Sequence, residues 1–116
     1  MSVTLKRAYE PVSRQDGYRV LVDRLWPRGV SKEEARLDDW LKDVAPSDDL
    51  RTAFHEQQLA WGEFRRRYLS ELKQHRLALR DLAQTAEQGK VTLVYAAKDE
   101  QHNNAVVLRQ YLAMLG

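Results

Sequence analysis

The segment at residues 91–97, Val-Thr-Leu-Val-Tyr-Ala-Ala, constrains the fold of this 116-residue chain most strongly, because it is almost continuously apolar and β-branched. Such a run is typical of a central strand that is buried on both faces of a parallel sheet. Residues 3–9 and 18–22 have the alternating and apolar patterns of two earlier strands. Because parallel neighbours need crossover helices, we predict one small α/β domain over residues 1–116, with a mainly parallel sheet covered by helices on both faces.

The middle of the chain carries the helical patterns. Ser31 and Glu34 have the spacing of a capping box, and Ser47 is a suitable N-cap for a second helix. Two longer helices are marked by apolar residues at helical spacing: Trp61, Phe64, Tyr68 and Leu72, then Leu79, Leu82, Ala83 and Ala86. A last helix is predicted over residues 104–112. Residues 40–44 fit a strand or the tail of a helix, and a strand is the favoured interpretation.

The composition excludes several classes of protein. With no cysteine, the chain cannot be a disulfide scaffold, use thiol catalysis or hold a metal through thiolates. No apolar run approaches the ~18 residues of a membrane span, and the first residues lack a secretory apolar segment. The net charge of +2 is too small to indicate nucleic-acid binding by itself. We therefore expect a cytoplasmic protein that does not enter membranes.

Two polar loops follow predicted strands, at residues 23–29 and 98–104. The carboxyl ends of parallel strands meet at one edge of the sheet, and ligands of such sheets bind in the crevice outside that edge. We therefore expect the two loops to converge and to form the walls of a binding site.

Basic side chains in these loops point to an anionic ligand. Arg24 and Arg28 in the first loop offer planar guanidinium groups for a phosphate or carboxylate, and Lys98 in the second adds a point charge. The helix that begins near Asn103 or Asn104 would direct free backbone N–H groups into the same crevice. These five residues are the predicted ligand contacts, together with an aromatic side chain of the first loop.

That aromatic residue is Trp26, which could form an apolar wall for a ligand ring or serve as a lid over the core. Asp23 could orient an arginine, accept a hydroxyl hydrogen bond or act as a base. Asp99 and His102 are candidates for proton transfer, since a histidine titrates near neutral pH. In the alternative interpretation, the loop residues only cap the last helix, and Asp23, Arg24, Lys98 and Asp99 only pair with one another.

Metal and nucleotide chemistry have little support. A metal site could draw on Asp99, Glu100, His102 and His55, but the chain has three histidines and no pair at ligand spacing. The chain also lacks a phosphate-binding P-loop, a dinucleotide-binding glycine motif and a serine nucleophile motif. We predict no metal and no cofactor, and the residues leave open whether the protein is an enzyme.

A second hypothesis uses the basic segment at residues 63–80, which holds six basic and two acidic side chains. On a single helix this segment could bind nucleic acid or a protein partner. Its three consecutive arginines, at residues 65–67, would spread over roughly 200° of a helix and form no single stripe. A small anionic molecule is therefore the favoured partner, and nucleic acid remains an alternative.

Several short sequence motifs resemble those of one protein family. They are Arg-Ala-Tyr-Glu-Pro at residues 7–11, Val-Asp-Arg-Leu-Trp-Pro-Arg-Gly at residues 22–29, Tyr-Ala-Ala-Lys-Asp at residues 95–99, and Asn-Asn-Ala at residues 103–105. Over essentially its whole length the chain resembles domain-of-unknown-function family 488, in its short YeaO-like branch. The resemblance implies a compact α/β domain from a prokaryotic cytoplasm and no established activity. Longer relatives carry cysteines in the loop that follows the last strand, so their thiol chemistry does not transfer to this cysteine-free chain.

Overall fold

The computed structural model describes residues 2–115, and its centre is a sheet of four strands in which every neighbouring pair is parallel. In chain order the strands are β1 (Ser2–Arg7), β2 (Tyr18–Leu21), β3 (Asp39–Trp40) and β4 (Lys90–Tyr95). Across the sheet the order is β1-β4-β2-β3, so β4 lies between the first two strands of the chain. The predicted α/β class, parallel sheet and central position of the last strand are confirmed.

The register places the carboxyl ends of the three longer strands at one level. Arg7 at the end of β1 pairs with Tyr95 at the end of β4, and Leu21 at the end of β2 pairs with Val94. The residues that follow these strands therefore leave the sheet at the same edge.

Within residues 2–115, five α-helices connect or follow the strands: α1 (Lys32–Ala35), α2 (Asp48–His55), α3 (Trp61–Leu72), α4 (Arg76–Gln88) and α5 (Asn104–Leu115). The predicted N-caps are confirmed. The Ser31 side chain accepts the Glu34 N–H in a complete capping box, and Ser47 accepts the N–H of Leu50.

The main core fills the first face of the sheet, where α2 to α5 contribute most of the apolar side chains. Both predicted helical stripes lie in this core, and α5 packs between α3 and α4. Its members include Val20, Val91 and Leu93 from the strands, Val22 just after β2, and Phe64, Tyr68, Leu72, Leu79, Leu82, Leu108 and Leu112 from the helices.

Shorter elements cover the second face. The residues of β2 and β4 that alternate with the main-core residues meet α1, a 3-10 turn at Arg14–Asp16 and two tryptophan side chains. Trp26 and Trp40 pack there on a small apolar cluster of Ala8, Leu21 and Val94. Helical elements therefore lie on both faces, as predicted, with the longer ones all on the first.

A buried ion pair joins the second face to the 3-10 turn. Asp16 accepts hydrogen bonds from Arg19 Nη1 at 2.7 Å and from Lys6 Nζ at 3.0 Å. Arg19 also donates from Nε and Nη2 to the carbonyl of Ala35 at the end of α1. Thr92 of β4 donates to the Asp16 carbonyl at 2.7 Å. This cluster fastens both covering elements to the sheet.

The predicted strand over residues 40–44 is wrong beyond Trp40. The last ladder bond runs from the Leu41 N–H to the Leu21 carbonyl, and Lys42–Val44 then form a 3-10 turn. This turn buries the Val44 side chain in the main core, and the Tyr68 hydroxyl donates to the Val44 carbonyl at 2.6 Å.

The single basic helix over residues 63–80, on which the second function hypothesis depends, is not formed. A 3-10 turn at Lys73–His75 separates α3 from α4. A straight helix over residues 61–88 would be about 42 Å long at ~1.5 Å per residue. Since the longest dimension of the domain is 38 Å, the break lets both apolar stripes pack on one sheet. Within residues 2–115, no helix has the length and apolar character needed to cross a bilayer.

Candidate functional site

A cavity of about 770 Å³ opens beyond the carboxyl ends of β2 and β4. Its walls come from the loop after β2, the loop after β4, helix α2 and the start of α3. All nine residues predicted for the site line this carboxyl-edge cavity: Asp23, Arg24, Trp26, Arg28, Lys98, Asp99, His102, Asn103 and Asn104. The two loops therefore converge as expected, while the chemical role of each residue stays a prediction.

Asp23 and Asn104 fasten the two loops to each other. The Asp23 carboxylate accepts the Ala96 N–H at 2.9 Å and the Asn104 Nδ2 at 3.0 Å. Asn104 Nδ2 also donates to the Val22 carbonyl, and Trp40 Nε1 donates to the Asp23 carbonyl at 2.7 Å. These bonds hold the floor of the cavity in one geometry.

Burial raises the pKa of the Asp23 carboxyl above its ordinary value. The hydrogen bonds from Asn104 and from the Ala96 N–H, and the Coulombic effect of His55, act in the opposite direction but do not cancel the effect of burial. Asp23 therefore holds its proton to higher pH than an exposed aspartate.

We expect Asn104→Ala to raise the pKa of Asp23 further, because it removes a hydrogen bond that favours the charged carboxylate. The measurement is a titration of the aspartate carboxyl carbons by ¹³C NMR. Asp99 is the internal control, since its own partners are untouched by the substitution. An Asp23 pKa that stays constant or falls would show that Asn104 does not stabilise the charge.

The loop after β4 is ordered by Asp99. Its Oδ1 accepts the N–H groups of Gln101 and His102, both at 2.9 Å, and these two bonds lower the pKa of the Asp99 carboxyl. His102 Nδ1 lies 3.6 Å from Asp99 Oδ2, longer than a hydrogen bond. The imidazole instead packs on the Trp61 ring, with 4.8 Å between centroids. Catalytic roles for Asp23, Asp99 and His102 stay predictions.

Asn103 is the N-cap of α5. Its side chain is buried, accepts the Val106 N–H at 3.0 Å and donates to the Asp99 carbonyl at 2.8 Å. The side-chain amides of both asparagines are thus bonded within the protein. Asn103 therefore caps the last helix, as the alternative interpretation of this loop expected.

Trp26 combines the two roles considered for it. Its Nε1 donates to the Val30 carbonyl at 2.6 Å, and its ring meets Trp40 edge-on at 5.5 Å between centroids. The same side chain covers the second-face cluster and lines the carboxyl-edge cavity. It can therefore offer an apolar wall without moving.

The cationic residues do not form the pairs considered as the alternative. Among the described residues, no ion pair joins Asp23, Arg24, Lys98 and Asp99 to one another. Arg24 instead donates to the carbonyls of Ala45 and Pro46 over 3.4 and 3.3 Å. Arg28 and Lys98 are exposed at the cavity wall.

The sequence interpretation missed Arg51 as a cavity residue and considered His55 only for a metal. Both lie on α2, four positions apart and so on one face, and both line the cavity. The four-residue spacing of Arg51 and His55 can be read from the sequence. The position of this face of α2 beside the carboxyl ends of the strands cannot. Within residues 2–115, no three histidine or acidic side chains come together as a metal ion would require.

Comparison with known proteins agrees with the family resemblance. The chain is 45% identical to the uncharacterised protein YeaO of Escherichia coli over 115 residues, covering 99% of this chain and all of that protein. It is 42% identical over 110 residues to the uncharacterised protein Rv3073c of Mycobacterium tuberculosis, covering 95% of this chain and 92% of the relative. No solved structure matches. The model of the inactive DUF488-N3 subclade matches residues 2–115, and the chain therefore belongs to this subclade of the DUF488 family.

Proposed function

We propose that the protein binds a small anionic molecule in the carboxyl-edge cavity. The observation that carries the proposal is the charge of the lining, which contains four cationic and two acidic side chains. The cations, Arg24, Arg28, Arg51 and Lys98, come from three separate segments of the chain. Such convergence in one concave site favours a ligand of opposite charge.

The shape of the cavity supports a small organic ligand. Its volume of about 770 Å³ lies within the ~300–1,000 Å³ typical of small-molecule sites. Aromatic side chains, among them Trp26, Phe54 and Trp61, line it beside the cations. A ligand with an anionic group and an apolar body would use both kinds of wall.

Binding without a chemical reaction is the form of this function that the family supports, because the matching subclade is described as inactive. The site geometry is consistent with this, since the His102 imidazole packs on an indole and forms no hydrogen bond with Asp99.

The test is a thermal-shift measurement with phosphate, sulfate and phenyl phosphate as probes. At about ten times the dissociation constant, a bound probe stabilises the native state by ~1.4 kcal/mol, which raises the Tm by roughly 5 °C. We expect this rise in the wild type and its loss in Arg24→Ala with Lys98→Ala.

The matched control is Arg80→Ala with Lys73→Ala, which makes the same change of charge at exposed positions outside the cavity lining. The control variant should keep the rise in Tm. Equal loss in both double variants would mean a nonspecific effect of charge. A crystal soaked in phosphate that shows only water between Arg24 and α5 would also contradict the proposal.

The alternative function, binding through the basic segment at residues 63–80, gains no support from the arrangement of its arginines. Arg66 and Arg67 both pair with Glu63, and Arg65 donates to Gln110 at 2.7 Å. Much of the charge that suggested a nucleic-acid surface is therefore engaged within the described residues.

A further inference from the structure

Two guanidinium groups of the carboxyl-edge cavity share one loosely held carboxylate. Arg24 Nε and an Nη of Arg51 each lie 3.7 Å from Asp48 Oδ1. Charge-assisted hydrogen bonds between such groups are close to ~2.8 Å, so neither contact is a formed hydrogen bond. Arg24 comes from the loop after β2, and Asp48 and Arg51 come from the first turn of α2.

The burial of the partners is unequal. The side chains of Arg24 and Arg51 are 28% and 34% exposed, whereas that of Asp48 is 71% exposed. A mostly exposed carboxylate can turn into water at small cost, while the two guanidinium groups cannot leave the wall of the cavity without losing their packing.

Arg51 also has donors to spare. Its Nε is buried and has no hydrogen-bond partner among the described residues. The bonds of Arg24 to the carbonyls of Ala45 and Pro46, at 3.4 and 3.3 Å, are long and weak. A buried donor without a partner is costly, so a ligand that supplies an acceptor here removes that cost.

We infer that Arg24 and Arg51 form an oxyanion subsite of the cavity and that the Asp48 carboxylate occupies it until a ligand displaces it. This inference rests on the proposed function. It adds which two arginines bind the ligand's anionic group and that Asp48 competes with the ligand for them. Asp48 takes the place of the ligand's anionic group, and its contacts of 3.7 Å are too long to hold the two guanidinium groups tightly.

The surroundings of the pair indicate what carries the oxyanion. Phe54 lies three residues after Arg51 on the same helix, and its ring is 5.9 Å from the ring of Trp61, with both half-buried in the cavity wall. A ligand anchored at the subsite would lay its body on these rings. The ligand class is thus a carboxylate or phosphate borne by an apolar, ring-containing molecule.

The experiment is a calorimetric titration with phenyl phosphate, with benzoate beside it to separate a phosphate from a carboxylate ligand. Asp48→Asn should bind the preferred probe about two- to fivefold more tightly, as expected when an exposed competing ion pair is removed. The matched control is Asp49→Asn, which removes the same charge from the same helix turn and should leave the affinity unchanged. Arg51→Ala should weaken binding about tenfold or more, and Arg80→Ala should not.

Energetic coupling between the two substitutions identifies the subsite. In the Arg51→Ala background, Asp48→Asn should gain less than it does in the wild type, because both act on one place. Thermal melting of each variant confirms that it is folded. Equal gains in Asp48→Asn and Asp49→Asn, or full affinity in Arg51→Ala, would overturn the subsite.

Failure of the subsite is distinguishable from failure of the proposed function. If binding is lost in Arg24→Ala with Lys98→Ala but is unaffected by Arg51→Ala and Asp48→Asn, the cavity binds anions and the subsite is wrong. If neither probe binds the wild type or Asp48→Asn, both proposals are overturned.

Discussion

Asp16→Ala is expected to lower the free energy of unfolding by about 3 to 5 kcal/mol, because it leaves the buried guanidinium of Arg19 without its counter-ion. Arg19 is only 3% exposed, so water cannot replace the lost partner. The variant also removes the counter-ion of Lys6, whose bond to the Pro11 carbonyl remains. Urea denaturation followed by circular dichroism measures the change.

Glu63→Ala is the matched control for this prediction. Glu63 also pairs with two basic side chains, Arg66 and Arg67, but this cluster lies on the exposed surface of α3. Exposed pairs contribute ~1 kcal/mol or less, so this variant should change stability little. If Asp16→Ala and Glu63→Ala lower the free energy of unfolding equally, burial does not strengthen the contribution of the Asp16 ion pair to stability.

The same ion pair has a consequence for pH. Burial works against the charged form of Asp16, but hydrogen bonds from the Ser13 N–H, Lys6 and Arg19 outweigh it and lower the pKa of this carboxyl. The contribution to stability is therefore present above the unfolded-state pKa of ~3.9 and is lost as the pH falls through the lower folded-state pKa. The wild type should lose this part of its stability in acid, and Asp16→Ala should show no such loss.

Gly17→Ala should destabilise the protein by about 3 kcal/mol or more. Gly17 has a φ of +66°, and a Cβ built there would lie 2.2 Å from the carbonyl oxygen of Lys90, which belongs to the backbone of β4. The new methyl group must therefore strain its own backbone and also displace the first residue of the central strand. Urea denaturation again provides the measurement.

Two other glycines serve to separate the cost of a positive φ from the cost of the close approach to β4. Gly29 has a φ of +75° with no heavy atom within 4 Å of the added Cβ, so Gly29→Ala should cost only about 1 kcal/mol of strain. Gly62 lies in α3 with open space around it, and Gly62→Ala should gain up to about 1 kcal/mol from helix propensity. If Gly17→Ala costs no more than Gly29→Ala, close approach to β4 is not a constraint.

The elements that the sequence predicted correctly are those whose signals are local. The apolar run at residues 91–97 indicated a central strand, and the Ser31 and Ser47 caps marked two helix starts. The nine candidate residues line one cavity because the rule for parallel strand ends needs only strand positions and the loops that follow them.

What the sequence could not supply depends on contacts between distant segments. The 3-10 turn at Lys42–Val44 is held by Tyr68, and the break before α4 follows from the size of the sheet that both stripes must share. Arg19 lies in a strand that looked apolar, and its buried partner Asp16 looked like an ordinary turn residue. The two are only three residues apart, but their burial depends on distant partners, Lys6 of β1, Ala35 of α1 and Thr92 of β4, which no local pattern records.

The central position of β4 also bears on synthesis of the protein. β1 and β2 are both neighbours of β4 and not of each other. During translation, β1 and β2 therefore cannot join one sheet until residues 90–95 have been synthesised. Until then both edges of β1 are unpaired, and such edges promote aggregation of nascent chains. Because the second wall of the cavity follows β4, a ribosome-bound fragment that stops short of this strand lacks both the central strand of the sheet and that wall of the cavity.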